Sequence, residues 1–220
     1  MKKKKIFIAC DTADLKKVKK IINQSKTKKI KIGYKFGLEF MNSKKGRDFI
    51  KTLKGKTIFV DLKLHDTVNT MLSAIKALKD LKIHYLTVHI SSGLAALKAV
   101  KKVSGSKKIV GVSTLTSLND HDLKMIGYNK SVKKLVAHQS KLANKASLDA
   151  IVCSPYEVGL VRKIFKGEII TPGVQIGKKN YDQKRSMEAK KVESDWLVIG
   201  RSITKGNIKN NIKKLIQEIE

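Results

Sequence analysis

The chain has 220 residues, 48 Lys or Arg against 18 Asp or Glu, and a formal net charge of +30. That length suits one well-buried domain, and no apolar run approaches the roughly 20 residues of a membrane span, so no membrane partner is expected. The basic excess is almost all Lys spread over every segment, with Arg only at Arg47, Arg162, Arg185 and Arg201, which argues against a nucleic-acid-binding stripe and leaves a charge that draws in small anions.

In chain order, Lys2 to Lys5 is a solvated charge run that leads directly into an apolar strand, Ile6 to Cys10, and not into a signal-peptide core. The first turn, Cys10-Asp11-Thr12-Ala13-Asp14, has no glycine, so a dinucleotide-binding fingerprint is absent. Leu15, Val18, Ile21 and Ile22 then recur at helical spacing. A second strand, Ile30 to Tyr34, delivers Lys35, and a third, Thr57 to Leu62, runs into Asp61-Leu62-Lys63-Leu64-His65-Asp66. Val68, Met71, Leu72, Ile75 and Leu78 mark the helix that follows. Further strands are expected at Tyr85 to His89, Ile109 to Ser113, Ala150 to Cys153, Glu168 to Thr171 and Trp196 to Ile199. Ser154-Pro155 reads as a helix start, because no His/Asp pattern nearby would make the serine a nucleophile. Trp196 and the five Met residues read as core packing.

Eight short β-branched runs alternating with amphipathic stretches predict a single-domain (β/α)8 TIM barrel spanning residues 1–220, in preference to an open doubly wound sheet. No linker, repeat or low-complexity block divides the chain. Cys10 and Cys153 lie far apart without zinc-ligand spacing and read as buried thiols of a reducing compartment, so a cytoplasmic location and no metal site are expected.

In such a barrel the chemistry sits at the C-terminal ends of the strands. Asp61 and Lys63 are two apart on a segment expected to be extended, which turns both toward the interior and Leu62 toward the helices. Buried carboxylate and ammonium groups shift one another's pKa and are costly when unpaired. They are therefore read as an active centre, the alternative being a salt-bridged polar layer. Gly200-Arg201 after the last strand suits a phosphate held by loop amides and a guanidinium fork, against the plainer reading of Arg201 as a surface helix cap. Gly173 to Arg185 is long enough for a lid hinged at Gly173 and Gly177. His65 and His89 read as hydrogen-bonded structural residues.

Asp61 to Thr70, DLKLHDTVNT, resembles the DLKxHDxxNT signature of orotidine 5′-phosphate decarboxylases. Similar segments follow in family order over essentially the whole chain: IACD (8–11), YKFG (34–37), TVHISSG (87–93), GVSTLTS (111–117), VCSP (152–155), TPGV (171–174), DQKR (182–185) and VIGRSI (198–203). The resemblance implies decarboxylation of orotidine 5′-monophosphate without metal or organic cofactor. Lys63 would protonate C6, and Asp61, Asp66 and Lys35 would complete an alternating charge network. It further implies a homodimer in which Asp66 and Thr70 reach the neighbouring subunit's site. Thr116 would meet the pyrimidine amide edge, Asp11 and Lys35 the ribose hydroxyls, Gly200 and Arg201 the phosphate, and Gln183 would close over phosphate and base. Two positions depart from the family pattern: Gln175 stands where an Arg is common after the TPG turn, and Thr67-Val68 replaces Ile-Pro.

An Asp-x-Lys-x-x-Asp core is shared with magnesium-dependent barrel lyases acting on sugar phosphates, such as keto-gulonate-phosphate decarboxylase and hexulose-phosphate synthase. His65, Asn69-Thr70, Leu115-Thr116-Ser117 and Asp182-Gln183 are what favour the nucleotide. A non-enzymatic nucleic-acid-binding protein on a degenerate barrel is the remaining alternative, opposed by the charged residues kept at four strand ends.

Overall fold

The fold is a computed structural model that describes residues 4–177 and 187–220. Eight parallel strands close into a barrel in the order β1-β10-β7-β6-β5-β4-β3-β2. They are β1 (Lys5–Ala9), β2 (Lys31–Phe36), β3 (Thr57–Leu64), β4 (Tyr85–His89), β5 (Lys108–Val112), β6 (Ala150–Val152), β7 (Glu168–Thr171) and β10 (Trp196–Ile199). Each coincides with an expected run to within a residue or two. Two short strands outside the barrel, β8 (Val174–Gln175) and β9 (Met187–Glu188), pair with each other and carry no pattern long enough to be seen in the sequence.

Helices cover the barrel: α1 (Leu15–Gln24), α2 (Leu38–Met41), α3 (Gly46–Thr52), α4 (Val68–Ala77), α5 (Leu94–Val103), α6 (Asp120–Met125), α7 (Val132–Lys145), α8 (Val158–Ile164), α9 (Arg201–Thr204) and α10 (Ile208–Ile219). Local chemistry fixes where they begin. Asp14 caps α1 by accepting from the amides of Lys16 and Lys17, and Asn119 with Asp122 forms a capping box on α6. Ser154 and Glu157 form another around Pro155 that leads into α8, as the Ser-Pro start implied. Both cysteines are buried, and no disulfide joins them.

Strand alternation sorts the side chains into two layers. Ile6, Ile8, Tyr34, Phe36, Ile58 and Val60 face the helices, while Phe7, Ala9, Phe59, Tyr85, Val110, Ala150, Ile170, Trp196 and Val198 fill the barrel. The N-terminal end is plugged by aromatic rings. Phe7 stacks on Trp196 with centroids 3.9 Å apart, and Tyr85 meets both edge-on. Gly33 makes that plug possible, since a Cβ there would stand 2.6 Å from the Phe7 ring. Beneath the rings Glu168 accepts from Lys5, Tyr85, Lys108 and the Trp196 indole. Large rings at one end and Ala9, Val112, Val152 and Val198 toward the other leave the C-terminal mouth open.

Candidate active site

The mouth is a cleft of about 1030 Å³ lined by Asp11, Lys35, Asp61, Lys63, Thr114, Thr116, Gln175, Gly200 and Arg201 over an apolar floor of Ala9, Phe59, Val112, Val152 and Val198. Lys35 enters it because Gly33 and Lys35 take the inward positions of β2 while Tyr34 and Phe36 go to the helix layer. Asp61 follows Phe59 inward on β3 by the same alternation.

These side chains form one alternating row. Lys35 Nζ lies 2.9 Å from Asp11 Oδ1 and 3.4 Å from Asp61 Oδ2, and Lys63 Nζ donates to that same Asp61 oxygen at 2.9 Å. The row runs from wet to dry and back: the side-chain exposures are 57% for Asp11, 11% for Lys35, 12% for Asp61 and 35% for Lys63. Burial of Asp61 pushes its pKa up, but the ammonium groups of Lys35 and Lys63 and hydrogen bonds from Lys63 and Thr87 outweigh it and hold the carboxyl below its ordinary value. Burial likewise works to lower Lys35, and the two carboxylates beside it win, so its pKa is raised. Both central groups are thus kept charged, and Lys63, the more exposed ammonium, faces the cleft.

The route to that geometry differs from the regular extended segment expected. β3 and β4 are in register at Val60 and Leu86, and again at Leu64 and Val88, so β3 spends four steps where β4 spends two. Lys63 stands in this bulge with φ of +51°, a conformation disfavoured for any residue with a Cβ. Leu62 still packs on the helix-side core.

Thr116 lies in the loop after β5, whose Thr114 hydroxyl donates to the buried Gln139 amide oxygen on α7 at 3.1 Å. Gln175 is buried on β8 and lines the cleft. Gly173 and Gly177, the expected hinges, both have φ of 74°, where glycine is favoured. Gly200 caps α9, its carbonyl accepting from the amides of Ile203 and Thr204, and Arg201 stands exposed on the rim. Asp66 and Thr70 are exposed and do not line this cleft: Asp66 accepts from the Thr67 amide, and the hydroxyls of Thr67 and Thr70 are 3.0 Å apart. Gln183, with Asp182 and Arg185, lies outside the described residues. The rings of His65 and His89 lie 5.2 Å apart beside Lys63, and among the described residues neither makes the hydrogen bond expected of it. Among the described residues no group of three or more His, Cys, Asp or Glu side chains is arranged to hold a metal ion.

Two features went unread in the sequence. Thr87, inside the TVHISSG segment, hydrogen-bonds both Asp61 and the Lys63 backbone, and nothing in a β-branched strand pattern distinguishes it. Lys17, Lys20 and Lys205 extend the cleft's basic wall between α1 and α10, where the abundance of lysine hid them.

A closed parallel barrel with ionised side chains converging at the C-terminal strand ends defines a (β/α)8-barrel enzyme site. Residues 4–214 match the family model described as the orotidine 5′-phosphate decarboxylase / HUMPS family, and the chain belongs to that family. The orotidine 5′-phosphate decarboxylase of Buchnera aphidicola subsp. Acyrthosiphon pisum (strain Tuc7) is 40% identical, with 96% of this chain and 92% of the relative covered. That of Carboxydothermus hydrogenoformans is 33% identical, with 98% and 96% covered. The crystal structure of orotidine 5′-phosphate decarboxylase from Lactobacillus acidophilus superposes with a TM-score of 0.84 at 28% identity, with 99% of each chain covered.

Proposed function

We propose that this chain decarboxylates orotidine 5′-monophosphate to uridine 5′-monophosphate and carbon dioxide, the closing step of UMP synthesis, with Lys63 as the proton donor. The observation that carries the mechanism is the unbroken Asp11–Lys35–Asp61–Lys63 row at the barrel mouth. As the bond from C6 to the carboxylate breaks, its electron pair stays on C6, and a fixed ammonium beside that carbon stabilises the developing charge and then supplies the proton. The Lys63 amine regains a proton from solvent, to which it is 35% exposed. Asp61, held ionised by two lysines, lies where a substrate carboxylate would meet repulsion that disappears with carbon dioxide.

In this reading Gly200 and Arg201 take the phosphate, Asp11 and Lys35 the ribose hydroxyls, and Thr116 the pyrimidine edge. Gln175 contacts substrate from its buried position on β8, and Gln183 is assigned to the phosphate and base. Asp66 and Thr70, exposed and not among the residues lining their own cleft, are supplied to a second copy of the chain in a homodimer. No metal or organic cofactor takes part, residues 1–220 act as one barrel domain, and the setting is the cytoplasm.

The test is the loss of ultraviolet absorbance of orotidine 5′-monophosphate with purified protein in EDTA, beside Lys63→Ala. Turnover without metal that disappears in the variant supports both the activity and the acid. Turnover unchanged by the substitution removes Lys63 from the mechanism, and activity only on sugar phosphates with magnesium replaces the reading with the lyase alternative.

A further inference from the structure

Asp61 and Lys63 make their contact across a stretch where β3 leaves its ladder with β4. A bulge of this kind leaves backbone groups without ladder partners, and a lysine at φ of +51° stays there only if its surroundings over-determine it. What meets the bulge from β4 is the side chain of Thr87, which is fully buried. The Lys63 amide donates to the Thr87 hydroxyl at 2.8 Å, and that hydroxyl lies 3.0 Å from Asp61 Oδ1. An amide can only donate, so the hydroxyl accepts there and its single proton is committed to the carboxylate. One oxygen atom therefore holds the backbone of the proposed acid and the carboxylate of its neighbour. Asp61 Oδ1 is occupied by Thr87, and Oδ2 is turned toward Lys35 and Lys63.

We infer that Thr87 is a positioning residue of the reaction, a key that locks the β3 bulge and aims Asp61 and Lys63 into the cleft. This rests on the reading that Asp61 and Lys63 perform the decarboxylation. A branched apolar side chain of the same size would fill the space and satisfy β4 equally well, so packing alone does not require the hydroxyl.

Thr87→Val removes the hydroxyl and keeps the shape, and Thr87→Ser keeps the hydroxyl and loses a methyl. We expect Thr87→Val to fold and to lower kcat about 30- to 100-fold, the size of effect that small misplacement of reacting groups produces. KM should stay within roughly threefold of the wild type and Thr87→Ser should recover most of kcat. A carbon-13 NMR titration of the Asp61 carboxyl in the free protein should move upward in Thr87→Val and not in Thr87→Ser, because the lost hydrogen bond favoured the ionised form. Should valine prevent folding, Thr87→Ala carries the same expectations. Wild-type kcat in Thr87→Val, equal loss in Val and Ser, or an unmoved Asp61 titration would each overturn the inference. If the wild type does not turn over orotidine 5′-monophosphate, the decarboxylase reading falls, and the NMR titration still decides whether Thr87 holds Asp61.

Discussion

Glu168→Gln, at the closed end of the barrel, should destabilise the protein by about 2 kcal/mol at neutral pH without touching catalysis. Burial of the Glu168 carboxyl works to raise its pKa, but hydrogen bonds from Lys108, Lys5 and Tyr85 together with the Lys5 charge bring it down from 4.5 to about 2. Such a displacement is worth about 3 kcal/mol in favour of the ionised folded state. The side chain is 20% exposed and Lys108 is 45% exposed, so solvent screening reduces that to about 2 kcal/mol. For a domain of this size that means a fall in Tm of about 4–8 °C. The sign of the pH dependence follows from a depressed folded pKa. Glu168's contribution is complete above 4.5 and is lost as pH falls through about 2. Urea denaturation of wild type and variant at pH 7, 5, 4 and 2.5 measures it. The gap between the curves should be constant from pH 7 to 5 and should close over the acid range. A gap below about 0.5 kcal/mol at pH 7, the ordinary level for surface substitutions, would show that desolvation cancels the ion pairs. A gap unchanged at pH 2.5 would show that the stabilisation is packing and not charge.

Three expectations concern the open end. Lys35→Met removes the cation shared by Asp11 and Asp61, so the Asp61 carboxyl should titrate at higher pH and kcat/KM should fall about 100-fold, with its acid edge moved upward in the pH profile. Arg201→Ala should raise KM for the nucleotide roughly 10- to 100-fold and leave the slow reaction of the unphosphorylated nucleoside unchanged; equal effects on both would place Arg201 away from the phosphate. Mixing inactive Lys63→Ala with inactive Asp66→Asn under conditions that exchange subunits should restore roughly a quarter of wild-type activity, because half the dimers are then hybrids with one intact site. No recovery despite verified exchange would mean that Asp66 serves its own protomer or none.

The barrel was legible because its strands are buried on both faces and read as short β-branched runs, from Ile6–Cys10 to Trp196–Ile199, with no competing signal. Lys35 and Asp61 were legible for a related reason: a charge two positions from Gly33 or Phe59 on an inward-facing strand has nowhere to go but the mouth. Lys63 was found by a rule that does not hold locally. Regular alternation would carry it inward, whereas it reaches Asp61 from a bulge with positive φ that depends on the strand across from it. Thr87 was invisible for the converse reason, since Thr is a common strand former and only the register between β3 and β4 sets it beside Asp61. The β8–β9 pair was missed because two residues per strand hold no period.

Among the described residues each end of the barrel carries an ionic cluster of carboxylates and lysines, and their difference separates stability from chemistry. At the closed end Glu168 receives donors from Lys5, Tyr85, Lys108 and Trp196, so its oxygens are fully engaged and the cations around it are held by ring faces as well: Lys5 lies 4.8 Å from the Trp196 centroid and Lys108 5.2 Å from that of Tyr85. The cleft at the mouth does not extend to this cluster, and the aromatic plug lies between them. At the mouth Asp61 is equally well satisfied, by Lys35, Lys63 and Thr87, but Lys63 gives its described contacts to a single carboxylate and keeps its remaining donors toward an open cleft. An ammonium whose position is fixed from behind and whose front is free is what proton delivery requires, and it cannot be had by burying the ion completely. The bulge in β3 supplies that compromise: it lifts Lys63 out of the barrel wall far enough to face solvent while Asp61, one turn of the pleat below, stays dry enough to hold it.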